Sequence, residues 1–276
     1  MTAGRIQARM DALQQIGRKA LIPYIVAGDP TPETTVPAMH ALVAGGADIL
    51  ELGMPFSDPF ADGPVNQRGA ERAIAGGTTL GGVLDAVRAF RADDADTPVV
   101  LMGYLNPVMA MGERVFCERA HEAGVDGLLL VDMPPEEDGV LVRRARELEM
   151  DLIYLAAPTT TDVRMRAIGE ATSGYLYYVS LKGVTGSSEL NAGDVSKKVD
   201  AMRAHVQVPI CVGFGIRTAE QAAEISKAAD GVIVGSVLVS AAEAHANQPE
   251  AVPEALRQVL APMREAMDDV QAGLTS

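Results

Sequence analysis

Two carboxylates in one short segment are the side chains of this chain best suited to acid–base chemistry. The apolar run at 49–52 predicts a buried strand and carries Glu51, and the Pro- and Gly-rich loop that follows carries Asp62. Burial among apolar side chains disfavours the ionised form of Glu51 and raises its pKa, so that it can give up a proton near neutral pH. Long loops in compact domains usually serve a function. The alternative is a strand-end salt bridge of Glu51 beside an ordinary acidic turn.

Three glycine-bearing loops predict a second kind of chemistry, the binding of a phosphate group. Gly183 and Gly186 follow the sixth predicted strand, Gly215 follows the seventh, and Gly235 with Ser236 follows the eighth. Glycine lets a backbone approach a ligand closely, and the helix expected to begin at Ser236 offers free N–H groups and a positive dipole end. Barrels of alternating strands and helices often bind phosphate at the loops after strands seven and eight. Ordinary turns are the alternative.

The elements that must position these residues are short β-branched or apolar runs separated by longer amphipathic segments. The predicted strands are 21–26, 49–52, 99–102, 127–131, 152–155, 175–179, 208–212 and 231–234. Alternation of strands and helices is typical of βαβ units and a parallel sheet, and eight such units favour a closed barrel. We therefore predict an α/β fold, a single-domain (β/α)8 TIM barrel spanning residues 1–276, with extra helices at the N- and C-termini (6–16 and 253–270).

The barrel gives Glu51 a direction. Side chains alternate along a strand, so Ile49 and Glu51 share one face while Leu50 and Leu52 share the other. Helices cover the outside of a barrel, and that apolar surface suits the two leucines. We therefore expect Glu51 to point inward near the C-terminal end of its strand, where barrel enzymes place their active sites.

Composition excludes several classes of partner. The formal net charge of −14 argues against nucleic acid or an anionic membrane. No apolar stretch reaches the roughly 18 residues that a membrane span needs. Cys117 and Cys211 lie far apart without metal-ligand spacing, and we interpret them as reduced thiols of a cytoplasmic protein. The histidines lie singly on predicted helices, so no metal site is expected.

Motifs along the whole chain resemble those of the tryptophan synthase α chain family. They are GDP at 28–30, ELGMPFSDPFADGP at 51–64, SLKGVTG at 180–186 and GFGI at 213–216. The resemblance implies retro-aldol cleavage of indole-3-glycerol phosphate to indole and glyceraldehyde 3-phosphate, with no cofactor or metal in this chain. It also implies a tryptophan synthase β subunit as partner, which carries pyridoxal phosphate, receives the indole and forms an α2β2 tetramer.

The resemblance also implies roles for individual residues. Glu51 is the acid that protonates indole C3 and a candidate base for the glycerol hydroxyl, Asp62 pairs with the ring nitrogen, and Tyr177 lies close to the glutamate or is a core aromatic. The remaining assignments are the phosphate-binding backbone of Gly186, Gly215, Gly235 and Ser236, an indole slot or barrel core at Tyr24, Met102, Leu129 and Phe214, and the partner contacts Asp58, Pro59 and Asn106. Segment 180–193 is expected to be a lid that a bound ligand orders.

Two other functions stay open at this point. One is another sugar-phosphate-binding barrel enzyme, such as an isomerase or a pentose-phosphate epimerase. Such epimerases need metal-binding histidines at strand ends, where this chain has none. The other is a non-catalytic partner subunit that binds phosphate only to regulate an enzyme, and the presence of both Glu51 and Asp62 argues against it.

Overall fold

A parallel sheet forms the centre of the molecule. The computed structural model describes residues 4–180, 192–213 and 215–274. The strands in these ranges are β1 Ala20–Val26, β2 Leu50–Gly53, β3 Val99–Gly103, β4 Gly127–Leu130, β5 Asp151–Leu152, β6 Leu155–Ala156, β7 Leu176–Val179, β8 Ile210–Gly213 and β9 Gly231–Val234. Their order across the sheet is β5-β4-β3-β2-β1-β9-β8-β7-β6.

The two ends of the sheet meet within one extended segment, residues 151–156. On one side β5 pairs with β4, and on the other β6 pairs with β7. Between them the Ile153 N–H donates to the Leu128 carbonyl (2.9 Å) and the Tyr177 N–H donates to the Tyr154 carbonyl (3.0 Å). The single strand predicted here is therefore two short strands that together occupy one strand position of the barrel. Through them the sheet closes into the predicted barrel.

Helices surround the barrel and alternate with its strands. They are α1 Arg5–Gln15, α2 Thr35–Ala44, α3 Pro64–Ala75, α4 Leu80–Arg91, α5 Leu105–Met111, α6 Glu113–Ala123, α7 Val140–Glu147, α8 Asp162–Ala171, α9 Ala192–Arg203, α10 Ala219–Ser226, α11 Ser236–Ala244 and α12 Val252–Leu274. The predicted terminal helices correspond to α1 and α12. Across the described ranges, no helix combines the length and the apolar character that crossing a membrane requires.

Two hydrophobic layers hold these elements together. The outer layer lies between the strands and the helices and contains Leu50 and Leu52. The inner layer fills the barrel and includes side chains of α1, namely Ile6, Met10 and Leu13. Helix α1 thus closes the N-terminal end of the barrel. Burial of each large apolar side chain contributes about 1.5–3 kcal/mol.

Candidate active site

Glu51 lies inside the barrel, as predicted from strand alternation. It is 1 % exposed, and the Tyr175 hydroxyl donates a hydrogen bond to its Oε1 atom at 2.5 Å. Its second oxygen, Oε2, is buried and has no hydrogen-bond partner among the residues that the structure describes. Burial raises the pKa of Glu51 to about 8, and the Tyr175 hydrogen bond opposes that rise. The folded protein therefore holds a protonated carboxylic acid in its interior at neutral pH.

The tyrosine that contacts Glu51 in this structure is Tyr175, which the sequence reasoning missed. Tyr177, the tyrosine assigned by resemblance, lines the cavity above the glutamate and is 6 % exposed. Its ring fits because position 213 is glycine: a Cβ atom there would overlap the Tyr177 hydroxyl. Tyr175 and Tyr177 are two residues apart, so their side chains lie on the same, inward face of the strand. This spacing does not distinguish which of them contacts Glu51.

Asp62 is held by a second tyrosine that the sequence reasoning missed. The hydroxyl of Tyr104, which follows β3, donates to Asp62 Oδ2 at 2.7 Å and accepts from the Ala61 N–H at 3.1 Å. The Gln67 amide donates to the Asp62 carbonyl at 2.9 Å. Burial raises the pKa of Asp62, while hydrogen bonds from Tyr104 and Asn66 oppose the rise. The loop that carries Asp62 is thus tied to the neighbouring strand end.

A cavity of about 420 Å³ opens at the C-terminal end of the strands, a size suited to a small ligand. Asp62, Tyr24, Met102 and Tyr177 line it, together with the apolar side chains of Val65, Val131, Leu155, Val179, Ile216 and Ile233. Tyr24 fits beside Gly53, where a Cβ atom would come within 2.5 Å of the Tyr24 hydroxyl. Glu51 is not part of the cavity wall in this structure.

Of the residues assigned to the indole slot, Leu129 and Phe214 have different outcomes from Tyr24 and Met102. Leu129 is fully buried in the inner barrel layer and does not line the cavity. Leu129 pairs with Met102 of β3, which does line the cavity, and its burial fits the alternative of a barrel-core residue. Phe214 lies outside the described residues, so its assignment stays a prediction.

The predicted phosphate-binding residues gather at one side of this cavity. Gly215, Gly235 and Ser236 line it, and they follow the neighbouring strands β8 and β9. Gly215 has φ of +83°, a conformation that favours glycine, and Ser236 is the first residue of α11. The free N–H groups and the positive dipole end of α11 thus face a site suited to an anion. Gly186, with most of the predicted lid at 180–193, lies outside the described residues.

The residues assigned to a partner contact lie at the same end of the barrel. Asp58 is exposed and Pro59 is partly exposed on the loop that follows β2, whereas Asn106 is exposed in the first turn of α5, which follows β3. The same loop carries Phe60 and the same helix carries Met109, two large apolar side chains that are 74 % and 63 % exposed.

The side chains that could bind a metal are dispersed. Among the residues that the structure describes, no group of three or more His, Cys, Asp or Glu side chains could hold a metal ion.

Comparison with known proteins identifies the family. The family model described as tryptophan synthase alpha chain matches residues 10–268. The chain is 54% identical over 272 residues to the tryptophan synthase alpha chain of Alkalilimnicola ehrlichii, covering 99% of both chains. The solved structure of the subunit from Legionella pneumophila has a TM-score of 0.89 at 43% identity, over 97% of this chain and 100% of that one. A tryptophan synthase structure from M. tuberculosis, in its aminoacrylate-bound form, gives 0.84 at 35% identity, over 96% and 100%. The chain belongs to the tryptophan synthase α chain family.

Proposed function

We propose that Glu51 and Asp62 carry the lyase reaction of this family, the cleavage of indole-3-glycerol phosphate to indole and glyceraldehyde 3-phosphate. The observation that carries this assignment is the burial of Glu51 inside the barrel, which raises its pKa to about 8 and favours the protonated acid at neutral pH. A carboxylic acid that keeps its proton at neutral pH can donate it to carbon. The family match does not favour either alternative, another sugar-phosphate barrel enzyme or a purely regulatory subunit.

Glu51 acts first as an acid. It donates its proton to indole C3, which converts the ring to an electron-accepting indolenine and leaves Glu51 as a carboxylate. This carboxylate then takes the proton of the glycerol hydroxyl next to the ring while the carbon–carbon bond breaks. The bonding electrons return to the ring and the hydroxyl carbon becomes the aldehyde. Glu51 ends the cycle protonated, and no water or cofactor is consumed.

Asp62 stabilises the charge that forms on the ring. Protonation at C3 places positive charge on the ring nitrogen, and a carboxylate that accepts the N–H hydrogen bond offsets this charge. Tyr104 suits this role, because its hydrogen bond at 2.7 Å favours the ionised form of Asp62 and holds it in one orientation. Asp62 lines the cavity, so this contact needs no rearrangement.

Glu51 must move before it can react. Its carboxyl group accepts a hydrogen bond from Tyr175, and the residue is 1 % exposed, below the cavity. Contact with a substrate ring in the cavity therefore requires rotation about the Glu51 side-chain bonds, which breaks the Tyr175 hydrogen bond. Tyr175 thus stabilises a resting position of the acid and affects its pKa in that position.

Replacement of Tyr175 by phenylalanine tests this resting position. Because the lost hydrogen bond opposes the rise in the pKa of Glu51, the alkaline limb of the rate–pH profile should move up by about 0.5–1 pH unit, the equivalent of roughly 1 kcal/mol. The measurement is kcat/KM for indole release between pH 6 and pH 10, roughly centred on the Glu51 pKa of about 8. Tyr154→Phe should leave the limb in place, because it removes an outer-layer hydroxyl that has no hydrogen-bond partner in the described part of the chain. An unmoved or lowered limb in Tyr175→Phe contradicts the assignment.

The lyase assignment itself is tested by turnover of the purified chain. Indole release from indole-3-glycerol phosphate is followed with and without a tryptophan synthase β chain. We expect indole and glyceraldehyde 3-phosphate in equal amounts, without any added metal or cofactor. Absence of both products under both conditions contradicts the assignment.

We also propose a β subunit as the partner, bound over the mouth of the barrel in an α2β2 tetramer. The exposed residues Asp58 and Asn106 with the apolar side chains of Phe60 and Met109 support this surface. In this assembly the β subunit carries pyridoxal phosphate and consumes the indole, so this chain needs no cofactor of its own. Both cysteines are buried and unpaired, which supports a cytoplasmic location for the complex.

Charge reversal at Asp58 tests the partner surface. Asp58→Lys should weaken association with a β chain about tenfold or more and reduce the activation that the complex brings, because a charge at an interface affects both partner fit and association rate. Analytical gel filtration and titration of the activation measure the change. Asp93→Lys makes the same change in charge in an exposed position after α4, at the opposite end of the barrel, and is the control. Equal binding by both variants contradicts this surface.

A further inference from the structure

One charged side chain in the cavity wall has no role in the reaction described above. Of the charged residues in the described part of the chain, Asp62 and Arg217 are the two that line the cavity. Asp62 belongs to the part that holds the ring. Arg217 follows Gly215 and Ile216 after β8, next to the predicted phosphate-binding backbone. The cavity therefore has an acidic residue where the ring is bound and a basic residue beside the phosphate-binding loops.

The backbone around Arg217 is firmly held. Its N–H group donates to the side chain of Gln221 at 2.8 Å. Thr218 and Gln221 form a reciprocal capping box at the start of α10, and Ile216 is 1 % exposed. These contacts place the arginine reproducibly at the cavity wall while its side chain stays exposed to solvent.

The guanidinium group of Arg217 is also available. Most arginines in this acidic protein lie within 4.0 Å of a carboxylate, for example Arg72 with Asp29 and Arg203 with Asp230. Arg217 makes no such ion pair with any residue that the structure describes. A cation without a carboxylate partner can take an external anion without first losing an internal one.

The ligand chemistry that fits this cation is a phosphate monoester. The backbone N–H groups of Gly235 and Ser236 are neutral donors, and the formal net charge of −14 repels a dianion as it approaches. A guanidinium group adds full positive charge and a planar pair of donors that matches phosphate oxygens. The positions of Arg217 and Ser236 on loops after the adjacent strands β8 and β9 allow both to contact one phosphate group.

We infer that Arg217 is a binding residue for the substrate phosphate, which it holds with its side chain and attracts by its charge. The inference rests on the proposed function, because it assigns a further contact to the same substrate. It acts on binding and leaves the proton transfers to Glu51 and Asp62. Substrates without the phosphate group should gain nothing from it.

The test compares three variants of the full chain. Arg217→Gln removes the charge, Arg217→Lys keeps the charge without the planar pair of donors, and Arg166→Gln removes an exposed arginine of α8 that does not line the cavity. For Arg217→Gln we expect a KM for indole-3-glycerol phosphate raised about 10- to 100-fold with kcat within about twofold, the scale of one hydrogen bond to a charged group. Arg217→Lys should recover part of the loss, and Arg166→Gln should behave as the unchanged protein.

Two further measurements separate binding from catalysis. Glycerol 3-phosphate, titrated directly by calorimetry, should bind Arg217→Gln about tenfold or more weakly, and the fall of kcat/KM with added salt should become shallower in this variant. Phosphate affinity and KM equal to those of Arg166→Gln overturn the inference, and so does a lowered kcat with KM unchanged. If the unchanged protein binds glycerol 3-phosphate but releases no indole, the proposed function fails while the binding comparison still decides the role of Arg217.

Discussion

Replacement of Glu51 by glutamine is expected to remove nearly all indole formation. Glutamine matches the shape of the protonated acid and can keep the contact with Tyr175, but it has no proton to give to indole C3. A general acid typically contributes about 10²–10⁴-fold to a rate, so kcat should fall by at least about 100-fold. Affinity for glycerol 3-phosphate should stay within about twofold, because the phosphate-binding end of the cavity is untouched. Retention of more than about a tenth of the activity contradicts the role of Glu51.

The same variant should be more stable than the unchanged protein at neutral pH. Glu51 ionises near 4.5 in the unfolded chain and near 8 in the folded one. Between these values the folded state binds more protons than the unfolded state, so the free energy of unfolding falls as pH rises through this window and is level above it. Glutamine lacks this pH-dependent loss, which at pH 7 amounts to the order of 3 kcal/mol. Urea unfolding at pH 5 and at pH 8 measures the free energy of unfolding of both proteins. If the difference between them does not grow with pH, the raised pKa of buried Glu51 is contradicted.

Replacement of Asp62 by asparagine is expected to lower kcat about 10- to 1,000-fold. Asparagine can still accept the ring N–H hydrogen bond, but it carries no negative charge to offset the forming cation. The acidic limb of the rate–pH profile should also disappear, since burial raises the pKa of Asp62 and activity otherwise falls as this carboxylate takes up a proton.

Two comparison variants make the Asp62 result specific. Tyr104→Phe keeps the charge and removes one hydrogen bond, so its loss should be smaller, about tenfold. Asp93→Asn removes a surface charge far from the cavity and should leave kcat unchanged. A kcat in Asp62→Asn that equals that of Asp93→Asn contradicts the electrostatic role of Asp62.

Local patterns were sufficient to predict the barrel and the direction of Glu51. Both follow from short-range rules, namely the alternation of strands with helices and the alternation of side chains along one strand. The burial that raises the pKa of Glu51 follows from the same alternation. The break between Leu152 and Leu155 could not be predicted, because it depends on how the last strands close the ring rather than on the residues of that segment.

The partners of the two carboxylates could not be predicted from local patterns. Tyr104 reaches Asp62 across the ends of two neighbouring strands, and Tyr175 reaches Glu51 from the other side of the barrel. Contacts between residues so distant in sequence depend on strand register and stagger, which one sequence does not reveal. For Leu129, alternation along the strand indicates that the side chain faces inward, but it does not decide between the indole slot and the barrel core.

The apolar side chains of α1 close the N-terminal end of the barrel, and this determines on which side substrate enters and products leave. With Ile6, Met10 and Leu13 filling that end, the described residues leave the cavity open at the C-terminal ends of the strands, so substrate and products are exchanged on that side. A product that stays bound in the cavity excludes the next substrate, so product release and substrate binding compete for the same space. A protein that covers Asp58, Phe60 and Met109 at this end of the barrel therefore lies beside the side on which substrate and products are exchanged.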